Sequence, residues 1–267
     1  MPQRFVTFTT DFGSSDHFVG TMKGVVYNIN PAARIVDISH EVQSFDVLDG
    51  ALTLAQAYSY FPGDTIHVVV VDPGVGSERR PILARSENYF FIAPDNGVLS
   101  LALEREKRVS VRHISSEHYF LRPVSQTFHG RDIFAAVAGW LSKDVEFSKF
   151  GDEISDYVRF RIPAPKTLEP GRTQGMVLKI DKFGNLVTNI TPQDIPPLFD
   201  AQPPEFKILV GKHEITSMRR FYAEGTPGEV FGILGSMGFL EISTNRGSAA
   251  STLQVSKGAE LIVICRS

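Results

Sequence analysis

Short apolar runs of strand length alternate along the first half of the chain with longer stretches in which apolar residues recur every three or four positions. Residues 4–9 have the first signature, ended by Thr10, Asp11 and Gly13. Asp16 then stands where a helix N-cap would, ahead of Phe18, Met22, Val25, Val26 and Ile29, a helical spacing that stops before Pro31. The pattern repeats with a strand over 35–38, a helix over 47–61 that turns Leu48, Ala51, Leu52, Ala55 and Tyr58 inward, and a strand over 66–71. Residues 81–85 and 88–93 read as strands, 97–104 as a short helix and 109–114 as a strand, and TFHGRDIFAAVAGWL as a turn leading into a helix over about 131–141. Strands alternating with helices predict an α/β domain with a mostly parallel sheet and helices on its faces.

The pattern changes after residues 162–175, IPAPKTLEPGRTQG, which concentrate proline, glycine and charge as an interdomain linker would. Beyond it, β-rich runs over 175–180, 186–190, 206–210, 230–234, 239–243 and 260–265 are separated by turns with little helical periodicity. They predict an all-β, barrel-like second domain. The expected division is an α/β catalytic domain over 1–165 and a β-barrel domain over 166–267.

Composition narrows the function. A length of 267 residues suits two domains, and a net charge of −3 argues against a nucleic-acid surface. No apolar run approaches the length of a membrane span, and MPQRFVTFTTDFG carries no signal-peptide pattern, so a cytoplasmic location is expected, with no membrane and no nucleic acid as partner. The single cysteine, Cys265, rules out a disulfide framework or a CxxC metal pair and reads as a small residue of the last strand rather than a nucleophile.

The most informative stretch is VVVVDPGVGSERR, residues 68–80. Four consecutive valines fit a strand buried on both faces of a sheet, and Pro73, Gly74 and Gly76 then force a turn. Asp72 is thereby set at the carboxyl end of a core strand, where open α/β sheets place ligands. Alone, this is a strand and a tight loop, with Asp72 capping amides and Arg79 and Arg80 solvated. The glycine pattern lacks the third glycine of a dinucleotide fingerprint and runs into a strand instead of a helix.

Other polar residues sit at strand ends or in turns. Asp11 in TTDFG either caps the next helix or accepts hydrogen bonds from a ribose diol, and the DFG letters lack every other kinase signature. His129 in FHGRD reads as a satisfied histidine at a helix start or as a catalytic group, and Asp132 as a favourable charge in a first helical turn. In the second half, DKFGN at 181–185 is a turn by default, or a site giving Asp181 and Asn185 to a polar ligand and Phe183 to a flat ring. Glu241, within SMGFLEISTNRGSAA, is an exposed strand residue unless something binds there. Asp11, Asp16, His17, Asp72, Asp95 and His129 include metal-ligand types, but no close-spaced metal motif is present.

TTDFG with DHFVGTMKG, VDPGVGSERR, APDNG, TFHGRDIFA, DKFGN and GSMGFLEIS, in this order over nearly the whole chain, resemble the S-adenosylmethionine hydroxide adenosyltransferase family, relatives of the fluorinases and chlorinases. The resemblance implies hydrolysis of S-adenosyl-L-methionine to adenosine and L-methionine, with no cofactor. It implies a catalytic set of Asp72, Arg79 and His129, with Asp11 on the ribose hydroxyls and Asn185, with Phe183, at the adenine. Asp181 and Ser236 match positions that hold the methionine amino acid group, Glu241 matches a ligand contact, and Phe221 or Tyr222 covers the ring. A homotrimer with intersubunit sites is implied as well. Where halogenases carry a YPATG-like turn this chain has DPGVG, which favours water over halide as nucleophile. A halogenase and a non-enzymatic adenosine or S-adenosylmethionine sensor are the competing readings.

Overall fold

The computed structural model describes residues 4–265. The chain divides into two compact units, one ending at Arg161 and one beginning at Ile162. In the first, the elements run β1 (Phe5–Thr10), α1 (Phe18–Ile29), β2 (Arg34–Ser39), α2 (Val47–Ala57), β3 (Ile66–Val70), β4 (Pro81–Arg85), β5 (Phe90–Pro94), α3 (Ser100–Arg105), β6 (Ser110–His113), α4 (Ala136–Ser142) and β7 (Glu153–Ile154).

One seven-stranded sheet, ordered β2-β1-β3-β5-β4-β6-β7, organises this unit. The valine run works as its pattern implies, because alternate side chains of a strand point to opposite faces. Val68 and Val70 pack with Phe8, Met22 and Val26 on one side, and Val69 and Val71 with Leu54, Tyr58 and Phe91 on the other. The sheet is only partly parallel. β2, β1, β3 and β5 pair in parallel, whereas β4, β6 and β7 add antiparallel strands. β4 and β5 are joined by the short turn at 86–89 with no helix in between, so they pair as an antiparallel hairpin and cannot make the crossover a parallel pair needs.

Three helix ends depart from the sequence reading. Asp16 does not cap α1, whose N-cap position falls on His17 without a side-chain cap bond. The helix expected over 131–141 begins instead as a π-turn, Gly130–Ala135, that runs into α4. The second helix ends at Ala57 in a 3-10 turn, Tyr58–Tyr60.

The second unit holds β8 (Lys166–Glu169), β9 (Arg172–Ile180), β10 (Leu186–Thr188), β11 (Phe206–Val210), β12 (His213–Ile215), β13 (Met218–Arg219), β14 (Val230–Leu234), β15 (Leu240–Thr244), α5 (Ala249–Leu253) and β16 (Glu260–Cys265). Its strands follow the order β12-β11-β16-β9-β10-β15-β14-β13, with β8 alongside β9. β9 curls the sheet. Residues 172–176 pair with β16, and beyond them Val177, Lys179 and Ile180 pair with β10. Val177, Leu186, Ile208, Ile242 and Val263 fill the interior. This unit is a curled half-barrel and not all-β, since α5 follows β15 with Ser248 Oγ capping it through the Ser251 N–H. The stretch read as a linker largely forms a hairpin of β8 and β9 around Gly171 (φ +74°), and exposure of β8 along its whole length accounts for its polar composition.

Candidate functional site

Asp72 follows the buried end of β3, and the backbone there is pinned by Asn96 of APDNG, whose Nδ2 donates to the Val71 carbonyl at 2.8 Å. The DPGVG turn then brings the chain back. Gly76 has φ +77°, and a Cβ on it would collide with the Gln126 carbonyl oxygen, so glycine is required twice over. Arg79 returns onto Asp72 as a fork: Nε donates to Oδ1 at 3.0 Å and Nη2 to Oδ2 at 2.5 Å. Nη2 also donates to His129 Nδ1 at 2.6 Å. The guanidinium carbon stands 5.5 Å from the centre of the Phe134 ring, and the side chains of Arg79 and Asp72 are 10% and 5% exposed.

This wiring sets the chemistry in two ways. Arginine has no acceptor and does not deprotonate, so His129 Nδ1 must be the acceptor and a neutral ring carries its proton on Nε2. Burial, followed by the adjacent Arg79 charge, pushes the His129 pKa down and keeps that ring neutral. The remaining arm of the fork, Arg79 Nη1, is buried and has no hydrogen-bond partner among the described residues. A buried donor left unsatisfied costs about 1–3 kcal/mol, and an oxygen ligand would recover it.

Asp11, just past β1, accepts the Phe45 N–H at 2.8 Å through Oδ2. Its carboxyl is pushed up chiefly by burial, and the Asp72 charge adds to the effect, which places the two carboxylates in one electrostatic neighbourhood. Sequence reasoning missed Phe45. It is 73% exposed and held at φ +64°, a conformation bulky residues rarely adopt outside sites that exploit it. No residue pattern around it signals that backbone angle.

The polar neighbours of Asp72, Arg79 and His129 have other duties. Arg80 turns away to Asp95 Oδ2, at 2.9 and 2.7 Å, and to Asp156 Oδ1, while Asp95 Oδ1 accepts the Val158 N–H. Asp132 is fully buried, takes both arms of Arg131 and accepts the Ser125 N–H. Asp16 and His17 are exposed. Among the described residues no three His, Cys, Asp or Glu side chains converge to hold a metal ion.

In the second unit, Asp181, Phe183, Asn185, Ser236 and Glu241 all line one cavity of about 700 Å³, together with Tyr222, Met237 and Arg246. Asp181 also builds the turn it belongs to, accepting the Phe183 and Asn185 N–H groups at 2.9 and 2.8 Å and Asn185 Nδ2 at 2.9 Å. DKFGN is therefore the turn it reads as, and Asp181, Phe183 and Asn185 of that turn also face the cavity. Phe183, 76% exposed, presents a bare ring. Glu241 is buried, accepts the Tyr222 hydroxyl at 3.2 Å, and lies so close to Gly235 that a Cβ there would collide with its carboxylate. Burial, with Asp181 adding, pushes its carboxyl up, and the Tyr222 bond opposes the shift. Phe221 is exposed but is not among the residues lining this cavity, whereas Tyr222 is. Tyr222, one of the two residues expected to cover the ring, opens a 3-10 turn, Tyr222–Glu224, whereas Arg246 was missed: it sits in a turn past β15, and only its cationic type could have drawn attention to it.

Comparison with known proteins bears on both units. The model of the SAM hydroxide adenosyltransferase N-terminal domain matches residues 6–151, and that of the C-terminal domain matches residues 175–262. A protein of Methanocaldococcus jannaschii named (R)-S-adenosyl-L-methionine hydrolase is 33% identical, over 97% of this chain and 95% of its own. A fluorinase of an Actinoplanes species is more distant, 24% identical over 97% of this chain and 96% of its own. A crystal structure of an uncharacterized conserved protein from Thermotoga maritima superposes with a TM-score of 0.89 at 36% identity, covering 98% of this chain and 100% of that one. With matches over both units and nearly the full length, the chain belongs to the SAM hydroxide adenosyltransferase family.

Proposed function

We propose that this protein hydrolyses S-adenosyl-L-methionine to adenosine and L-methionine by attack of water or hydroxide at C5′. The observation that carries the reading is the Arg79 fork, with two arms committed to Asp72 and His129 and the third, buried and unpartnered, free for an oxygen. The chemistry asks for such a group. The sulfonium departs as a neutral thioether and needs no acid, so the difficulty lies in the water, whose free pKa is about 15.7. A guanidinium at ~4 Å in an effective dielectric near 20 favours developing hydroxide by about 4 kcal/mol. Asp72 holds the guanidinium and offsets its charge. His129, wired as an acceptor from Arg79, fixes the fork's orientation and takes the water's proton only if Arg79 releases Nδ1. Asp72 keeps spare acceptor capacity on both oxygens.

Binding roles come from the groups each unit offers. Asp11 suits the ribose hydroxyls, and Phe183 with Asn185 the adenine. Asp181, Ser236 and Glu241 suit the methionine end, where two carboxylates in one cavity match a substrate carrying ammonium and sulfonium charge. Tyr222 fits a ring cover better than Phe221, since it lines the cavity. In this reading the substrate is the only small molecule required, with no cofactor. The 1–165 and 166–267 halves would each supply part of the site, which is the reason to propose a homotrimer whose sites draw residues from two subunits. Re-equilibrated mixtures of Asp72→Ala and Asn185→Ala chains should then regain part of the activity, and no gain over either parent would place the site within one chain. Among the described residues no helix is long and apolar enough to cross a membrane, and we propose a cytoplasmic location.

Turnover in ¹⁸O-water, with and without chloride, tests the reaction. Label in the adenosine 5′-hydroxyl in both cases is expected. A 5′-chloro product would make the protein a halogenase, and tight adenosine binding without turnover would make it a sensor.

A further inference from the structure

The loops beyond β1 and β2 are fastened together around His40, next to Asp11. The His40 carbonyl accepts the Gly13 N–H at 2.7 Å, Val42 N–H donates to the Thr10 carbonyl at 3.3 Å, and Phe45 N–H donates to Asp11 Oδ2 at 2.8 Å. These bonds clasp residues 40–45 onto residues 10–13. They stand where the sheet stops helping, because the β1–β2 register slips between Phe8 and Thr9 and the ladder ends before Asp11. A bulge at a strand end re-aims the chain beyond it, so something else must fix the loop.

The His40 side chain does this at the centre of the clasp. It is 11% exposed, and its Nδ1 stands 2.8 Å from Thr10 Oγ1, which accepts the Phe12 N–H at 3.3 Å. The Thr10 hydroxyl thus binds backbone on the far side of Asp11. His40 Nε2 lies 3.0 Å from Asp37 Oδ1, an electrostatic contact and not a well-aligned hydrogen bond. Asp37 Oδ2 in turn is held by Lys23 Nζ of α1 at 2.6 Å. Burial pushes the Asp37 carboxyl up, but Lys23 and His40 outweigh it and hold it below the usual carboxylate range. With its proton facing Asp37, the ring offers Nδ1 to the Thr10 hydroxyl. One imidazole therefore ties α1, the end of β2 and the Asp11 loop into a single unit.

We propose that His40, backed by Asp37 and Lys23, is a positioning residue that holds Asp11 ready for the ribose diol of the substrate. This rests on the assignment of Asp11 to the ribose made above. Loss of the contact leaves the water-activating fork intact, so its effect falls on binding. A hydrogen bond of ordinary net strength, about 1 kcal/mol, corresponds to a five- to tenfold change in affinity.

The test measures adenosine affinity by calorimetry, and KM and kcat for S-adenosylmethionine, in His40→Leu, His40→Asn and Thr10→Val. The asparagine oxygen can occupy the place of Nδ1, whereas leucine cannot. His40→Leu and Thr10→Val are expected to raise KM and the adenosine Kd about five- to tenfold with kcat changed less than about threefold, and His40→Asn to recover most of the affinity. Should His40→Leu fail to fold, Thr10→Val against His40→Asn carries the comparison. Variants that bind adenosine as the wild type does, or that lose kcat with KM unchanged, overturn the positioning role alone. A wild type that binds no adenosine overturns the ribose assignment as well.

Discussion

Arg79→Met is expected to reduce kcat and kcat/KM together by at least about a hundredfold while adenosine still binds, and Arg79→Lys to recover little of the loss. The expected size comes from removing a preorganised donor aimed at developing negative charge, which costs about 10²–10³ in rate where it has been measured in other enzymes. Lysine restores charge but not the fork. It has a single nitrogen centre, and the structure asks one side chain to reach both Asp72 oxygens and His129 Nδ1 while keeping another N–H free. Arg79→Met also leaves Asp72, 5% exposed, without its counter-charge, and stranding one member of a buried pair costs about 3–5 kcal/mol. The double variant Asp72→Asn, Arg79→Met removes that stress, so it should recover stability without recovering turnover. If Arg79→Met keeps near wild-type kcat, the fork does not act on water. If the double variant recovers activity along with stability, the loss in the single variant came from misfolding around Asp72.

Much of this site was legible because its residues sit where chain pattern and chemistry coincide. A valine run ending in Asp-Pro-Gly announces a buried strand and a carboxylate at its end, and the structure places Asp72 there. The partners of that carboxylate were another matter. ERR offers two arginines in adjacent positions and periodicity does not choose between them; the family resemblance singles out Arg79, which the fold sends to Asp72 while Arg80 goes to Asp95. The tautomer of His129 is equally hidden, because it depends on which of its nitrogens Arg79 meets. Phe45 and His40 were missed for a related reason: their roles come from contacts of the Phe45 N–H and the His40 ring to a loop some thirty residues away in sequence, and local periodicity carries no information about such contacts.

The fold shows the same division. Strand and helix runs with strong periodicity fall within a few residues of their expected places, among them α1 and β3. Direction in a sheet is not written in periodicity, so the antiparallel β4 and β6 looked no different from parallel strands. β8 is exposed throughout and has neither an alternating apolar face nor a continuous apolar run by which a strand is read. The segment therefore passed for a linker. α5 is five residues long, too short for helical spacing to register.

His67 carries no sequence signal of its own, although it is the most heavily perturbed histidine described, and its behaviour gives the second large effect expected of this protein. It lies in β3 with no exposed surface, its Nδ1 2.7 Å from Thr7 Oγ1 and its Nε2 buried with no hydrogen-bond partner among the described residues. The rings of Tyr58, Phe61, Tyr89 and Phe91 surround it at centroid distances of 5.9, 5.7, 5.4 and 5.4 Å, with Phe91 stacked. Burial alone pushes its pKa down to about 3. An unfolded histidine titrates near 6.5, so between these values the unfolded chain binds a proton that the folded chain refuses. Stability from this residue is therefore complete above about pH 6.5, declines as pH falls and is gone below about pH 3. At pH 4.5 the loss is about 3 kcal/mol, taken as two pH units at 1.36 kcal/mol each. His129, whose pKa is lowered too, adds a loss of the same sign. His67→Phe keeps an aromatic ring in the box and removes the titration, at the cost of the Thr7 bond, about 1 kcal/mol at neutral pH. Urea unfolding from pH 7.5 down to 4.5 should show wild-type stability falling steeply and the His67→Phe curve markedly flatter, so that the variant, weaker at pH 7.5, overtakes the wild type near pH 6. Parallel curves across that range would mean that His67 accepts its proton in the folded protein and that burial does not hold it neutral.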